Sequence, residues 1–391
     1  MKVLLATLTM FLLIGCKAEL EPTPRSQVQI QNSGESDTPR ELNFVLAPTE
    51  TRILNEEEIP PVISGSLDEE LIEEAVAVST GGIITGAGQG GGPHLKTFEN
   101  MNQILSVFPI SNDFKGGIRV AGAQLTNDNV VDIVVAQGPT LNAQVRFIDG
   151  ASGQLLRRNI VPYPEFEGGI FVATADLNNN AFDDIITGAD QGGGPHVKVF
   201  SSLPADNDRV LLEFMAYETD FTGGVRVAAG DVNGDGQIEI ITAPGPGRPP
   251  TVRVFNSSNG ELLYEFNHNG NSTLGLFVAT GDVDGNGDKE IILGLDQSQL
   301  PLVATYNLVG DADNRRFKLI GLNVLYDTEF SGGVRVAASD LNGDGKDEII
   351  AGAGITGGPH IRAIEFATGK LIQDFFAYDP NFTGGVYVSG F

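Results

Sequence analysis

The chain has 391 residues and carries 51 Asp and Glu against 24 Lys and Arg, which gives a formal net charge of −27 at pH 7. Nucleic acids and anionic membrane surfaces repel a protein of this charge, so the composition disfavours both as partners. The single cysteine excludes an intrachain disulfide.

Residues 3–14 form an apolar run directly after the basic start of the chain. The run is too short for a bilayer-spanning helix, which needs roughly 20 residues, and it is typical of a signal peptide over residues 1–15. It ends in Leu-Ile-Gly-Cys, which resembles the lipobox of bacterial lipoproteins, where the cysteine is lipidated and becomes the mature N-terminus. The resemblance implies a lipid anchor on Cys16 as the only membrane attachment and a place in the bacterial cell envelope. Lys17 in the next position favours the outer membrane.

The next segment, residues 16–65, is rich in Pro, Ser, Thr, Glu and Gln. This composition buries little apolar surface and predicts a flexible tether. Ser66 and Glu69 form a capping-box pattern ahead of an apolar run, which predicts a short acidic helix or lead-in over residues 66–79. The globular part is then expected over residues 80–391.

The globular part repeats a Phe-x-Gly-Gly signal at intervals of 51 to 58 residues. Each unit reads as four short strands separated by turn residues, and a period of this size is typical of a β-propeller. The signal occurs at Phe114, Phe166, Phe221, Phe330 and Phe382, with a degraded copy at 272–275.

The two ends of the repeat region are fragments of one unit. Residues 82–98 match residues 184–200, in the middle of a unit, almost residue for residue, whereas residues 382–391 read as the opening of a unit. A C-terminal first strand paired with N-terminal strands from residues 82–113 would close the ring and remove exposed sheet edges. The sequence thus predicts an all-β, six-bladed β-propeller.

One position of the Gly-Gly strand alternates between arginine and an aromatic residue around the predicted ring. An alternation of period two closes only on an even number of blades, which favours six over seven. Because the first strand of a blade is ordinarily the innermost, these side chains are expected to ring the central channel. There they either pack between blades, with arginine over a ring face or paired with a carboxylate, or bind an anion or an acidic peptide. The position is occupied in order by Arg119, Phe171, Arg226, Phe277, Arg335 and Tyr387.

A carboxylate-rich loop follows the first strand in most units. In the clearest copy, Asp231, Asn233, Asp235 and Glu239 place oxygen side chains along one short segment, and Gly236 permits a sharp turn. Such a segment can wrap a hard cation, and calcium is the expected ion. The same pattern predicts two more good sites and a weaker fourth. These comprise Asp282, Asp284, Asn286, Asp288 and Glu290; Asp340, Asn342, Asp344 and Glu348; and, in the weaker one, Asp176, Asn178, Asn180 and Asp184.

Two departures from the pattern predict weaker metal binding in the loops of the second and first units. Ala181 stands where the other loops have the turn glycine, so the fourth site is expected to be weaker. The first unit has Gln124 in place of the leading Asp and keeps only Thr126, Asp128 and Asp132, which gives little support to a metal there.

The sequence contains no recognisable catalytic motif. His94, His196 and His360 occupy the same Gly-Gly-Pro-His position in three blades, one of them across the ring from the other two, so a single ion could not easily reach all three. A structural role in the turn is expected for each, with the imidazole bonded to a neighbouring backbone group. The motifs of serine hydrolases, zinc proteases and phosphate-binding loops are absent, and an enzyme is therefore not expected.

The Gly-Gly strands, the Asp-x-Asn-Gly-Asp-Gly loops and the Gly-Gly-Pro-His turns recur together and in order. In this they resemble the FG-GAP/VCBS repeats found in the head of integrin α-subunits and in many secreted bacterial proteins, over roughly residues 80–391. The resemblance implies a calcium-stabilised propeller with its metal loops on one rim and its ligands on another face or between blades.

The favoured function is a monomeric, surface-tethered module for binding or adhesion, with an unidentified protein or glycan as ligand. A carbohydrate-binding lectin is the alternative, although the absence of Trp removes the side chain that stacks best on sugars. A scaffold in an envelope complex is a third class, which differs in the side of the membrane that the propeller faces.

Overall fold

The computed structural model describes residues 27–29, 45–47 and 81–391, apart from 141, 207, 269–272, 298–299 and 311–313. The predicted signal peptide, Cys16 and the lead-in over 66–79 lie outside the described residues, as does most of the predicted tether. Within the tether region, two short strands, β1 (Gln27–Gln29) and β2 (Val45–Ala47), pair in antiparallel fashion. No helix among the residues described is long and apolar enough to cross a membrane.

Antiparallel strands make up the chain from residue 81 onwards. The N-terminal strands are β3 (Ile83–Ala87), β4 (Leu95–Glu99) and β5 (Asn102–Val107). Blade 1 comprises β6 (Ile118–Ala123), β7 (Asp132–Gln137) and β8 (Val145–Ile148), and blade 2 comprises β9 (Ile170–Ala175), β10 (Asp184–Ala189), β11 (His196–Phe200) and β12 (Val210–Met215). Blade 3 comprises β13 (Val225–Gly230), β14 (Glu239–Pro244), β15 (Thr251–Asn256) and β16 (Leu262–Asn267). Blade 4 comprises β17 (Leu276–Gly281), β18 (Glu290–Leu295), β19 (Leu302–Val309) and β20 (Arg316–Val324). Blade 5 comprises β21 (Val334–Ser339), β22 (Glu348–Ala353), β23 (His360–Ile364) and β24 (Leu371–Phe376), and blade 6 consists of β25 (Val386–Gly390) followed by β3, β4 and β5.

The C-terminal strand closes the ring. In blade 6, β25 pairs with β3 so that Val386 lies opposite Ala87 and Gly390 lies opposite Ile83. Beyond the strands, Gly82 and Phe391 exchange two backbone hydrogen bonds, of 2.9 and 3.1 Å. The first strand of each blade contacts the first strand of the next, and β25 contacts both β21 and β6. The predicted six-bladed propeller with a seam between the two ends of the repeat region is therefore confirmed.

The second strand of every blade is buried over its whole length. Ile240 and Ile241 in β14 are both fully buried although their side chains point to opposite faces of the sheet. A neighbouring blade covers each face, so the strand reads as a continuous apolar run instead of alternating with polar residues. The outermost strands are the most exposed. In β12, for example, every residue is either exposed or half-buried.

The Phe-x-Gly-Gly signal has a steric origin. A Cβ added to Gly223 would lie 2.5 Å from the ring of Phe221 and 2.1 Å from a backbone oxygen, so no side chain fits there. Gly224 has a φ of +86°, in the left-handed region that glycine adopts most easily. The pair lets the chain turn tightly into the first strand while the phenylalanine folds back over it.

Blade 1 departs from the expectation of four strands in every unit. Its sheet contains three strands, and the place beside β8 is taken by an irregular segment that forms isolated bridges through Leu155 and Ile160. Arg157 in this segment donates a hydrogen bond of 2.9 Å to Asp208, which follows blade 2 strand β11, and its guanidinium lies 3.8 Å from the ring centroid of Phe147. Side-chain contacts to blade 2 thus hold a segment that ladder pairing holds in the other five blades.

Candidate metal centre

The acidic loops join the first and second strands of blades 1 to 5. Consecutive loops are connected through their backbones: Lys289 donates a hydrogen bond of 2.8 Å to the carbonyl of Asp231, and Asp347 donates one of 2.8 Å to the carbonyl of Asp282. The loops of blades 3, 4 and 5 therefore lie next to one another on the same rim, as predicted.

The leading aspartate of each loop organises the backbone around itself. In blade 4, Asp282 accepts hydrogen bonds of 2.7 Å from the N–H of Gly285 and 2.9 Å from that of Gly287. Both glycines have positive φ values, of +78° and +98°, which brings their N–H groups round to the carboxylate. Asp231 and Asp340 make the equivalent pairs of bonds in blades 3 and 5. Only the second glycine of each of these three loops was expected from the sequence to permit the turn. The structure shows that the first glycine serves the same purpose.

The last carboxylate of the blade 4 loop is buried without a full set of partners. Glu290, at the start of β18, is fully buried, and its Oε2 accepts a hydrogen bond of 3.0 Å from the N–H of Val283. Its Oε1 is buried and has no hydrogen-bond partner. One oxygen from each of Asp282, Asp284 and Glu290 lies within 4.8 Å of the other two. Three carboxylates at this spacing repel one another, and the buried oxygen lacks a donor, so the group fits a cation.

In the loops of blades 3 and 5, an asparagine donates a hydrogen bond to the end glutamate. In blade 3, the amide of Asn233 donates a hydrogen bond of 2.7 Å to Oε1 of Glu239. In blade 5, the amide of Asn342 donates one of 2.6 Å to Oε1 of Glu348. Blade 4 has Asp284 in place of the asparagine and cannot make this bond. The Oδ1 of Asn233 is in turn buried without a partner, which leaves an oxygen available to a cation in blade 3.

Burial raises the pKa of the end carboxylates, and the neighbouring carboxylates add to the effect. The pKa of Glu290 rises to about 7, mainly through burial and next through the charge of Asp284. The pKa values of Glu239 and Glu348 also rise to about 7, and burial is again the first cause. A divalent cation would stabilise the charged form of these groups and reverse the shift.

The blade 2 loop carries the expected defect. Asp176 binds the N–H of Asn180 and of Ala181 at 3.0 and 2.7 Å, as the leading aspartates of the better loops do. To reach it, Ala181 adopts a φ of +70°, which a residue with a Cβ adopts only with strain. Asp184 accepts a hydrogen bond of 2.7 Å from Asn178, its Oδ1 is buried and unpaired, and burial raises its pKa to about 6.

The buried carboxylate of the blade 1 loop has a hydrogen-bond donor for each of its oxygens. Asp132 is fully buried at the end of the loop, like Glu290, but both of its oxygens have partners. Oδ2 accepts a hydrogen bond of 3.2 Å from the N–H of Leu125, and Oδ1 accepts one of 3.0 Å from the N–H of Gly150. Gln124 replaces the leading aspartate and bonds within its own loop, to the carbonyl of Thr126.

The remaining predicted ligands form short turns within their own loops. The side-chain oxygen of each accepts the N–H two residues further on, as Asp284 does from Asn286 at 3.1 Å. Asp288 is an exception among the predicted ligands, since its carboxylate points towards Gly234 of the blade 3 loop, where a Cβ would lie 2.6 Å from it. The equivalent turns are made by Asn180, Asp235, Asn286, Asn342 and Asp344.

The alternating arginines and aromatic residues meet at the centre of the ring. The three aromatic rings contact one another edge to face, with centroids 6.2 to 6.4 Å apart. Arg119 and Arg226 each lie between two of these rings, at 4.9 to 5.1 Å from the centroids. Arg335 completes the circle between Phe277 and Tyr387. The structure thus brings all six predicted residues together as inter-blade packing.

Two aspartates that the sequence analysis missed neutralise two of these arginines. Arg119 of blade 1 pairs with Asp190 of blade 2 at 2.5 Å, and Arg226 of blade 3 pairs with Asp296 of blade 4 at 2.8 Å. Both aspartates follow the second strand of the next blade. A sequence signal existed, because the residues that follow these aspartates, Gln191 and Gln297, recur as Gln89 in blade 6. These pairs disfavour the expectation that three equivalent arginines bind one anion.

Buried tyrosines that were not singled out from the sequence connect blades 1, 2, 4 and 5 each to the next blade. The hydroxyl of Tyr217, which follows blade 2, donates to the carbonyl of Thr251 in blade 3 at 3.0 Å and accepts from the hydroxyl of Thr242 at 3.1 Å. The signal for this role is a tyrosine three or four residues before the phenylalanine of Phe-x-Gly-Gly. Equivalent bonds are made by Tyr163, Tyr326 and Tyr378.

The three histidines bond side chains of the outermost strand instead of the turn backbone that was expected. His94 contacts the hydroxyl of Ser106 at 2.8 Å, His196 lies 3.3 Å from Glu213, and His360 contacts Asp374. Each bond lies within one blade. The structural role is therefore supported, with a different partner from the one predicted.

Comparison with known proteins identifies no family. No protein-family model and no curated protein matches the chain. Among solved structures, the crystal structure of rhamnogalacturonan lyase YesW is similar at a TM-score of 0.36 and 13% identity, over 78% of this chain and 72% of that chain. The crystal structure of exotype rhamnogalacturonan lyase YesX is similar at a TM-score of 0.37 and 12% identity, over 74% and 67% of the two chains. Likeness at this level carries no argument about what this chain binds or does.

Proposed function

We propose that the protein is a calcium-stabilised β-propeller that acts as a non-enzymatic binding or adhesion module, held at the bacterial envelope by a lipid on Cys16. The observation that carries the proposal is the fully buried Glu290, whose Oε1 has no partner while Asp282 and Asp284 lie within 4.8 Å. A divalent cation there supplies the missing partner and offsets the repulsion among three carboxylates.

Calcium suits the donor set better than a transition metal does. The loops offer carboxylate, amide and backbone oxygens on one short segment, and calcium takes 6 to 8 oxygen ligands in flexible geometry. In blade 4 the cation would be held by Asp282, Asp284 and Glu290. In blades 3 and 5, Asn233 and Asn342 would contribute an amide oxygen where blade 4 contributes a carboxylate.

Two features support binding over catalysis. Histidine is the commonest general base. His94, His196 and His360 are engaged in separate blades with side chains of the outermost strands, and His268 is buried against the hydroxyl of Tyr306. In the described part of the chain, a cavity of about 420 Å³ lies at the blade 5 loop. Its lining includes Asn342 and Asp344 of the loop and Lys370 from the connection before β24. A ligand bound there would contact the residues that the cation orders, so its affinity would depend on calcium.

The proposed place in the envelope rests on the sequence, because the lipobox resemblance lies outside the described residues. Metabolic labelling with a fatty acid, compared between the wild type and Cys16→Ser, tests the anchor. We expect the label only on the wild type, and label on both chains would contradict a lipid on Cys16. Protease treatment of intact cells then distinguishes a surface-facing propeller from a periplasmic scaffold.

The experiment that tests the binding function is capture of ligands by the calcium-loaded full chain, with glycan arrays as a second arm. Matched samples contain a chelator, the variant Asp344→Ala in the blade 5 loop, or the variant Asp128→Ala in the blade 1 loop. We expect a ligand that is lost in chelator and with Asp344→Ala but retained with Asp128→Ala. A ligand on the glycan array would make the module a lectin. Binding that is indifferent to both the chelator and Asp344→Ala would contradict a calcium-dependent site.

A further inference from the structure

The third arginine of the central ring lacks the carboxylate that the other two have. Asp190 and Asp296 each donate a backbone hydrogen bond of 3.0 Å to a glycine carbonyl, that of Gly169 and that of Gly275. In blade 6 the residue that makes the equivalent 3.0 Å bond, to Gly385, is Gly88. The position that faces Arg335 is therefore a glycine, which has no side chain to neutralise it.

Arg335 is nevertheless as buried as its two counterparts. It is 6% exposed, the same fraction as Arg119 and Arg226. In all three arginines Nε and Nη1 are buried without a hydrogen-bond partner, and in the other two it is Nη2 that reaches the aspartate. Arg335 makes no ion pair and no hydrogen bond with any residue that the structure describes. A buried guanidinium without a counter-charge is costly, so an anion bound at this point would stabilise the fold.

The surroundings of Arg335 are suited to a small anion. The second and third residues of all six first strands line a cavity of about 70 Å³ at the centre of the ring. A water molecule needs roughly 10–15 Å³ of such space, so a few water-sized particles fit, but a peptide or a sugar does not. Tyr387 lies against Arg335, with the guanidinium 3.8 Å from its ring centroid, the shortest such distance in the central ring. Its hydroxyl is a second donor that Phe171 and Phe277 lack.

We propose that the central channel binds one small monovalent anion, such as chloride or formate, against the guanidinium of Arg335. The anion takes the place that an aspartate carboxylate has beside Arg119 and Arg226. This site is separate from the acidic loops and does not depend on the proposed function.

The direct test measures chloride binding to the calcium-loaded full chain by the broadening of the chloride NMR line, with formate as competitor. The matched variants are Arg335→Gln and Arg362→Gln. The control, Arg362→Gln, removes an arginine of the same blade that lies outside the central cavity and pairs with Asp374. We expect saturable broadening in the wild type that formate reverses, loss of at least tenfold in affinity with Arg335→Gln, and retention with Arg362→Gln. Equal binding by wild type and Arg335→Gln, or no saturable binding by the wild type, would overturn the proposal.

A second measurement needs no variant and so does not depend on whether Arg335→Gln folds. The thermal midpoint of the wild type is compared in chloride, formate and gluconate at one ionic strength, which keeps general screening constant. Chloride and formate are expected to raise the midpoint relative to gluconate, which is too large for the cavity. Equal midpoints in all three salts contradict the site, and so does stabilisation by an acidic peptide alone. Gly88→Asp is a less useful variant, because a Cβ there would lie 2.0 Å from the carbonyl oxygen of Gly384.

Discussion

The loops of blades 4 and 1 occupy the same place in the fold and end in the same kind of residue, a fully buried carboxylate. In blade 1 both oxygens of Asp132 accept backbone hydrogen bonds, from Leu125 and Gly150. In blade 4 only one oxygen of Glu290 has a donor, and two further carboxylates surround it. A buried acid at the start of the second strand is thus shared by blades 1 to 5. We therefore expect the requirement for a cation to differ from loop to loop.

Removal of calcium should have the largest effect, because it acts on the proposed sites of blades 3, 4 and 5 together. At a free calcium concentration of 100 times Kd each site adds about 2.7 kcal/mol, so three sites add about 8 kcal/mol. Thermal unfolding is monitored by circular dichroism. We expect a large drop in the thermal midpoint when EDTA is added at constant ionic strength. Restoration by excess calcium is the control. A midpoint that does not move would remove the proposed role of the metal.

A pair of isosteric substitutions tests whether the blade 4 loop depends on calcium and the blade 1 loop does not. Glu290→Gln should cost up to about 2.7 kcal/mol in saturating calcium, by loss of one site, and little in EDTA, where it removes a repelling charge. Asp132→Asn replaces an acceptor oxygen by an NH₂ group, which leaves a buried N–H unpaired at a cost of about 1–3 kcal/mol in either condition.

Denaturant unfolding of both variants with and without calcium checks this crossed pattern. The same calcium dependence in the two variants would contradict the distinction between the loops.

The pH dependence of stability tests whether the buried end carboxylates bind the cation. The end carboxylates of blades 3, 4 and 5 have folded-state pKa values of about 7, above the ordinary value of 4.5. The metal-free folded state therefore binds more protons than the unfolded state between pH 4.5 and 7, and the stability of the metal-free protein should fall as pH rises through that window. His94 and His268 act in the opposite direction, since burial lowers their pKa values to about 4.

The quantity to measure is the difference in unfolding free energy between the calcium-loaded and metal-free protein, because the histidines contribute equally to both. We expect this difference to grow from pH 4.5 to pH 7 and then to level off. A difference that is constant over the window would show that the buried glutamates do not bind the ion.

The smallest expected effect concerns the strained blade 2 loop. Ala181→Gly relieves a φ of +70° and should stabilise the protein by about 1 kcal/mol while strengthening the fourth site. Gly287→Ala in blade 4 is the matched reverse change, because its φ is +98° and a Cβ there meets no atom within 4 Å. It should cost about as much and weaken one calcium site. Calcium titration of both variants would contradict this account if neither affinity changed.

The fold was predictable because its signals repeat. The seam followed from the match of residues 82–98 to 184–200, and the even blade number followed from the alternation of arginine and aromatic residues at one position. Features that occur in only one unit were harder to predict from the sequence. The turn after β8 at Asp149 reads like the turns before the fourth strands of other blades, yet the chain beyond it forms only isolated bridges. Side-chain contacts to the next blade, such as that of Arg157 with Asp208, hold this segment instead of ladder pairing.

The candidate sites were predictable only where their residues are near in sequence. The acidic loops are local, so spacing alone placed their ligands, although it did not show that Asn233 satisfies Glu239 whereas Asp284 leaves Glu290 without a donor. Arg119 and Asp190 lie 71 residues apart and meet because consecutive blades pack together. Neither that pairing nor the missing carboxylate at Gly88 can be read from the spacing within one unit.

Calorimetric titration of the metal-free chain with calcium, for the wild type, Glu290→Gln and Asp132→Asn, tests the central claim most directly. We predict three tight sites and a weaker fourth in the wild type, the loss of one tight site in Glu290→Gln, and the wild-type number in Asp132→Asn. No calcium binding, or the same number of sites in all three proteins, would contradict the account.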